Sequence, residues 1–200
     1  MCHRRTRYLH SSGFSLIELL LVIVVLGIAA STLMVVSTQS AAMSSSIMRQ
    51  QQARSLAEGL LEEIQAMPFT YCEPSQDVFG AGNAANVGAC AVKEDTVPLA
   101  REPGEFRWNA VAVNRFDNVN DYNGLTIAAG ALTDASNNAM AARLPSVSNC
   151  QLQVAVTANA IAALGADSQR IAVTVTCPDL LTPVVAEGIR IRYAPHRYQF

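Results

Sequence analysis

A single carboxylate, Glu18, lies inside a long apolar segment near the N-terminus of this 200-residue chain. The segment 14–36 has few polar residues, and as an α-helix it would span about 34 Å, enough to cross a bilayer. An ionised carboxylate at membrane depth costs about 2.5–3.5 kcal/mol on insertion scales. Glu18 therefore needs a compensating cation, and its position indicates ion pairing within a membrane.

Three ways of processing the chain place Glu18 differently. A conventional signal peptide would be cut after the apolar run, where Ala29-Ala30-Ser31 is a loose match, and a simple anchor would stay uncut. Neither accounts for Glu18. Cleavage after Gly13 would make Phe14 the new N-terminus, one helical turn from Glu18. The Glu18 carboxylate of one subunit would then pair with the Phe14 ammonium of a neighbouring subunit, and the low dielectric would strengthen this pair.

The charge distribution predicts the membrane orientation. The leader 1–13 contains three arginines and no acid, so the positive-inside rule places the N-terminus in the cytoplasm and the rest of the chain outside the membrane. The formal net charge is −2, and Lys93 is the single lysine. This composition offers no basic face, so nucleic acid is not expected as a partner.

Cysteine usage points to an oxidising compartment such as a periplasm. Four of the five cysteines follow the apolar segment, namely Cys72, Cys90, Cys150 and Cys177. An even number of cysteines in an exported region indicates disulfides. The sequence has no C-x-x-C pair, so zinc binding and thioredoxin-like chemistry are disfavoured.

The region between Cys150 and Cys177 has the alternating pattern of a β-hairpin. Pairing its two apolar runs antiparallel, with Val154 opposite Val173, aligns their apolar faces and places Cys150 opposite Cys177. Directly opposed residues lie within disulfide reach. We therefore predict the disulfide Cys150–Cys177 and, by exclusion, a second disulfide between Cys72 and Cys90.

A cluster of oxygen-bearing side chains precedes Gly124 and comprises Asp117, Asn120, Asp121 and Asn123. Such hard oxygen ligands at short spacing suit Ca²⁺. The EF-hand spacing is not met, and a polar turn with Asn123-Gly124 at its tip is the alternative interpretation. A weak calcium site is thus one hypothesis for this loop, and no other cofactor is expected.

Catalysis is not expected. His3 and His10 lie in the leader, which leaves His196 near the C-terminus as the one other histidine. No Ser/His/Asp or Cys/His arrangement can be built from these residues, so the prediction is a protein that is not an enzyme.

The elements that must position these residues follow from periodicity. Apolar residues recur at helical spacing over 47–67, and Pro68 ends the helix, so one helix is predicted from Phe14 to Ala66. Its outer half should pack on the chain's own sheet, with a coiled coil to a partner as the alternative. Strands are predicted over 106–115, in the hairpin 150–177 and over 184–193, and a loop over 69–106.

These elements define an α+β fold in which a long N-terminal helix, transmembrane in its first half, packs on an antiparallel sheet. Four segments result: a basic leader over 1–13, an assembly helix over 14–36, its amphipathic continuation over 37–67, and a β-rich periplasmic head over 68–200.

The run Gly13-Phe14-Ser15-Leu16-Ile17-Glu18 follows a short basic leader and precedes an unbroken apolar stretch. It resembles the class III signal of type IV pilins and type II secretion pseudopilins. The resemblance implies a type IV pilin-like fold, cleavage after Gly13 by a prepilin peptidase, N-methylation of Phe14, and a salt bridge from Glu18 to a neighbouring Phe14. The implied partners are the prepilin peptidase, other pilins and minor pilins of the same filament, the inner-membrane assembly platform and the lipid bilayer. The implied location is the bacterial inner membrane, and then the pilus or cell surface.

Two further features refine the resemblance. Major pilins commonly carry a proline in the second half of this helix, whereas the first proline here is Pro68, which favours a minor subunit. The loop 121–125 (D-Y-x-G-L), the helix end L-L-x-E-I before Pro68-Phe69, and the four later cysteines resemble minor pilins of the mannose-sensitive haemagglutinin (MSHA) system, in the MshD-like branch.

The resemblance implies a role in pilus initiation, biogenesis or at the tip. One alternative is a minor pseudopilin of a type II secretion system. Another is a membrane-tethered periplasmic domain that binds calcium or another ligand.

Overall fold

The longest element, helix α1, spans Leu16–Ala66. In the computed structural model of this chain the described residues are 13, 15–94, 99–140 and 142–192, so α1 is described from its first residue, and the predicted start at Phe14 lies outside. The chain divides into two compact units, Met1–Ser45 and Ser46–Phe200, and α1 contributes to both. Its end at Ala66 agrees with the break expected before Pro68.

Residues 16–36 of α1, in the first unit, have apolar side chains around most of the helix, with Glu18 as the single charged residue. Its large apolar residues from Leu16 to Val36 are exposed, and Gly27 has open space around its α-carbon. Within the described residues α1 is the one helix long and apolar enough to cross a membrane. A helix that is apolar all round must be covered by lipid or by other protein.

The part of α1 in the second unit has one buried face. Ala53, Ala57, Leu60 and Ile64 are buried at spacings of three and four residues, and they share one core cluster with the sheet. Gly188 lies close under the helix, since a β-carbon there would overlap the side-chain amide of Gln65. The prediction that the helix packs on the chain's own sheet is confirmed.

A four-stranded antiparallel sheet forms the other layer. Its strands are β1 (Thr126–Ile127), β2 (Gln151–Ala158), β3 (Ser168–Thr176) and β4 (Val184–Ile191), in the order β1-β2-β3-β4. β2 and β3 pair with Val154 opposite Val173, which is the predicted register. The buried residues of both strands alternate with more exposed ones, as expected of a sheet with one face on the core. The α+β fold is therefore as predicted.

Two disulfides join parts of the head. Cys150 and Cys177 lie just beyond the last β2–β3 pair, with their α-carbons 4.2 Å apart. Cys72 and Cys90 are bonded with α-carbons 5.2 Å apart, next to an isolated antiparallel bridge between Cys72 and Lys93. These are the two pairings expected from the sequence.

Two local predictions are wrong. Residues 106–115 form no strand: Phe106 and Arg115 make an isolated bridge, and a 3₁₀ turn spans Ala112–Asn114. The Asn109 side chain accepts a hydrogen bond from the Val111 N–H, and such local bonds compete with strand pairing. The stretch predicted as loop contains a short helix, α2 (Val78–Asn83), because the Asp77 side chain caps its N-terminus.

Candidate functional site

Glu18 lies in the first turn of α1 and is the acid of that turn. Its backbone N–H donates to the Ser15 carbonyl at 3.0 Å, and its side chain is exposed among exposed apolar neighbours. Phe14 lies outside the described residues, so the predicted Glu18–Phe14 pair and the cleavage after Gly13 stay predictions. Glu18 therefore lies on the exposed, mostly apolar surface of α1.

A second candidate site lies in the head, and the sequence indicated only two of its residues, Asp117 and Asp121. Six carboxylates approach one another there. We call them the acidic cluster, and they are Glu73, Glu94, Glu102, Glu105, Asp117 and Asp121.

Glu73 and Glu94 are held by the Cys72–Lys93 bridge. The Glu73 N–H donates to Val92 O at 3.1 Å, and the Glu94 N–H donates to Tyr71 O at 3.0 Å. Because side chains alternate along extended segments, the two glutamates lie on the same side of this short ladder. The Cys72–Cys90 disulfide holds the two segments together.

Glu102 and Glu105 occupy the ends of a tight turn. The Glu105 N–H donates to Glu102 O at 3.2 Å. The two residues between them are Pro103 and Gly104, and Gly104 has φ of 98°. Proline followed by a residue with positive φ is typical of a type II turn, which brings its first and fourth residues close together.

Asp121 lies in a capped 3₁₀ turn, Val119–Tyr122, and Asp117 directly precedes the N-cap residue Asn118. The Oδ2 atom of Asp121 accepts hydrogen bonds from the N–H groups of Asp117 at 2.9 Å and Asn118 at 2.8 Å. Asn118 is buried and donates from Nδ2 to the Thr70 hydroxyl at 3.1 Å. This capping box fixes the Asp121 carboxylate from one side.

The carboxylate oxygens converge in two overlapping groups. Oxygens of Glu73, Glu94 and Glu102 lie within 4.8 Å of one another, and so do oxygens of Glu102, Glu105 and Asp121. Glu102 belongs to both groups. Among the described residues, the ion pairs with arginine involve other acids, namely Asp179, Glu58, Glu63 and Asp167.

Several cluster oxygens are buried without a hydrogen-bond partner. Glu94 is 2% exposed, and neither of its carboxylate oxygens has a partner within the described structure. Glu73, Asp121 and Glu105 are 0%, 1% and 4% exposed, and each has one such oxygen. In native proteins the great majority of buried polar atoms are hydrogen-bonded, so these oxygens are acceptors that the described protein groups leave unused.

Burial and nearby negative charges raise the pKa values of four carboxyl groups in the cluster. Burial raises the pKa of Glu94 to about 11, with a further contribution from the negative charges of Asp121 and Glu102. Burial likewise raises the pKa of Glu105 to about 9 and that of Asp117 to about 7. For Asp121 burial outweighs the two backbone hydrogen bonds and raises the pKa to about 8. These four carboxyl groups therefore resist ionisation unless a compensating positive charge is present.

The structure revises the ligand set predicted for the Asp117–Asn123 loop. Asn123 faces the sheet, where its Oδ1 accepts from the Val156 N–H at 2.9 Å and its Nδ2 donates to Leu99 O at 2.6 Å. Asn120 accepts a hydrogen bond from the Gln169 side chain through Oδ1. The remaining pair, Asp117 and Asp121, joins the four glutamates instead. Pro103-Gly104 is a turn signal in the sequence that could have indicated that Glu102 and Glu105 lie close together.

The comparisons with known proteins identify the N-terminal segment. A family model described as the prokaryotic N-terminal methylation motif matches residues 9–34. No curated protein and no solved structure was found to match the chain. The motif and the fold together support a subunit of the type IV pilin and pseudopilin class, which is structural rather than catalytic. Such a motif implies processing by a prepilin peptidase and assembly with other pilins, and the apolar start of α1 fits a membrane-anchored pilin.

Proposed function

We propose that this chain is a minor subunit of a type IV pilus of the MSHA type, acting in pilus initiation, biogenesis or at the tip. A prepilin peptidase cuts it after Gly13, and α1 then carries it from the inner membrane into the filament. The observation that supports this proposal most directly is Glu18, a single acid in the exposed apolar part of α1, within the methylation motif.

The physical argument rests on what must surround α1. Its apolar side chains over 16–36 are exposed on every side, so lipid covers them before assembly and neighbouring helices cover them afterwards. In either environment an unpaired Glu18 carboxylate is costly. A free amine at Phe14 of the adjoining subunit compensates that charge, and the pair sets the register between subunits.

The absence of a proline before Pro68 supports the minor role. α1 runs from Leu16 to Ala66 without a break in the described helix. Major pilins commonly have a proline in this region. The resemblance of the head to MSHA minor pilins supports the same assignment.

A minor pseudopilin of a type II secretion system remains the second candidate, since both kinds of subunit use the methylation motif. The neighbouring genes discriminate the two. A major pilin gene nearby supports the pilus, and a set of secretion genes without one supports the pseudopilus.

The test is the mature N-terminus of the protein expressed in its own host. Mass spectrometry is expected to find a chain that starts at N-methylated Phe14, and a chain with any other start contradicts the proposal. Gly13→Val is expected to block cleavage, whereas the matched control Gly27→Ala, at a glycine in open space, is expected to be processed normally. The sheared pilus fraction is expected to contain the mature chain.

A further inference from the structure

We propose that the head binds calcium in the acidic cluster formed by Glu73, Glu94, Glu102, Glu105, Asp117 and Asp121. This site is independent of the assembly role of α1. It also differs from the loop site suggested by the sequence, because four of its six carboxylates come from outside that loop.

The hydrogen bonds around the cluster engage one oxygen of some carboxylates and leave the other oxygen buried without a partner. Glu73 accepts from Ser75 through Oε1 and leaves Oε2 buried without a partner. Asp121 accepts two backbone hydrogen bonds through Oδ2 and leaves Oδ1 buried without a partner. Each of these carboxylates is thus fixed by one oxygen and presents the other. This arrangement is expected of metal ligands that are oriented by a surrounding shell of hydrogen bonds.

Glu94 is the residue that most strongly indicates a bound cation. It is 2% exposed, both of its oxygens lack a hydrogen-bond partner, and it lies in one group with Glu73 and Glu102. An ionised carboxylate is not stable in such a place without a compensating positive charge. A bound cation would neutralise the charge of Glu94 and of the neighbouring carboxylates and would accept their unpartnered oxygens as ligands.

The donor set selects calcium among common cations. All the side-chain donors are carboxylate oxygens, and Ca²⁺ takes six to eight oxygen ligands in flexible geometry. Mg²⁺ usually keeps several waters and binds through one or two carboxylates. Zinc prefers nitrogen and sulfur ligands, and the nearby Cys72 and Cys90 are bonded to each other.

A calcium ion here would link three separate parts of the head. They are the disulfide-bonded ladder with Glu73 and Glu94, the turn with Glu102 and Glu105, and the capped 3₁₀ turn with Asp117 and Asp121. This region has little regular structure of its own, so the ion would act as a structural clamp. Folding of the head after export would then depend on extracellular calcium.

The first experiment is calcium binding by the full-length protein in detergent micelles. The protein is stripped with EDTA, desalted, and titrated with CaCl₂ in a calorimeter, with MgCl₂ titrated in parallel. We expect at least one Ca²⁺ per chain, with Kd in the range of about 10⁻⁴–10⁻³ M or tighter that is typical of extracellular calcium modules. Thermal unfolding should shift upward with CaCl₂ and much less with MgCl₂. Absence of both calcium heat and a calcium-dependent shift overturns the proposal.

The second experiment separates binding from folding. Glu94→Gln removes one negative charge with little change of shape, so it is expected to weaken calcium binding by at least about tenfold. The same change relieves repulsion, so the metal-free variant should unfold at a higher temperature than the metal-free natural protein. Glu105→Gln is expected to change both quantities in the same directions. A variant that binds calcium more weakly and yet, without metal, unfolds at a higher temperature than the natural protein cannot be explained by simple misfolding.

Glu187→Gln serves as the matched control, because Glu187 is an exposed acid on β4 outside the cluster. It is expected to bind calcium as the natural protein does. Unchanged calcium affinity in both Glu94→Gln and Glu105→Gln overturns the assignment of these ligands. Processing at Gly13 and presence in pili are measured separately, so failure of the pilus proposal leaves this test intact.

Discussion

Arg107 binds Glu63 through two parallel hydrogen bonds, from Nε to Oε1 at 2.8 Å and from Nη2 to Oε2 at 2.6 Å. Both side chains are largely buried, at 13% and 15% exposure. The Tyr122 hydroxyl donates to the same Oε1 at 3.0 Å, and Arg107 Nη1 donates to Thr133 O at 3.0 Å. Glu63 belongs to α1, so this network ties the helix to the segment before β1, which holds Arg107 and Tyr122, and to the segment between β1 and β2, which holds Thr133.

Removal of Arg107 should therefore destabilise the head strongly. Arg107→Met leaves the Glu63 carboxylate buried beside Tyr122 without its cation, and breaking a buried pair in this way costs about 3–5 kcal/mol. Urea unfolding of the full-length protein in micelles measures the change in free energy. Arg54→Met is the control, since the Arg54–Glu58 pair is exposed on the surface of α1 and is expected to contribute nothing measurable. Equal effects of the two substitutions would contradict this account.

The acidic cluster predicts how stability varies with pH when calcium is removed. Glu94, Glu105 and Asp121 have pKa values raised to about 11, about 9 and about 8, so the folded state holds protons that the unfolded chain releases. Stability from these groups is complete below their unfolded pKa values near 4 and is lost as pH rises through the folded values. In EDTA we expect the unfolding temperature to fall steadily from pH 5 to pH 9.

Calcium should counteract the loss of stability at high pH. Metal binding requires deprotonated carboxylates, so the stabilisation by a fixed calcium concentration is expected to grow as pH rises. Paired unfolding curves in CaCl₂ and EDTA at each pH measure the difference. A difference that shrinks toward high pH would argue against carboxylate ligands.

The two disulfides should have separable effects. Replacing Cys72 and Cys90 by serine is expected to lower the free energy of unfolding by about 3 kcal/mol. It should also weaken calcium binding, because Glu73 follows Cys72 and Glu94 follows Lys93, the residue that pairs with Cys72 in the adjacent β-bridge. Replacing Cys150 and Cys177 should lower stability while the calcium affinity of the folded protein is retained. Calorimetry at a temperature where each variant is folded provides the comparison.

Glu18→Ala tests the register hypothesis for α1. The substitution removes a charge from an apolar segment, so membrane insertion should persist or improve. Incorporation into filaments with other pilins should fail, because the neighbouring Phe14 amine loses its partner. Membrane fractionation and immunoblots of sheared pili report the two outcomes. The control is Ser31→Ala, which changes another polar residue of the same segment, one that hydrogen-bonds to Ile28 O, and should assemble normally. A Glu18→Ala chain found in pili at the natural level would refute the register hypothesis.

Local periodicity determined the fold predictions that succeeded. The apolar spacing of α1, its end before Pro68 and the alternation in β2 and β3 are properties of short segments, and the Val154–Val173 register follows from aligning two apolar faces. This register buries the apolar faces of β2 and β3 together, and it also places Cys150 opposite Cys177, so the same alignment predicted their disulfide. The stretch 106–115 alternates equally well, but it finds no neighbouring strand to pair with in the described structure.

The sequence by itself determined that this chain carries a prokaryotic N-terminal methylation motif, because Gly13, Phe14 and Glu18 lie close together in one short segment and the motif depends on that local order. Only the tertiary structure decided which acids meet in the head. The cluster draws on three separate segments, and Asn123 leaves the expected ligand set because the sheet occupies its amide. A carboxylate's role depends on what surrounds it after folding, and burial beside other carboxylates is a property that no spacing along the chain reveals.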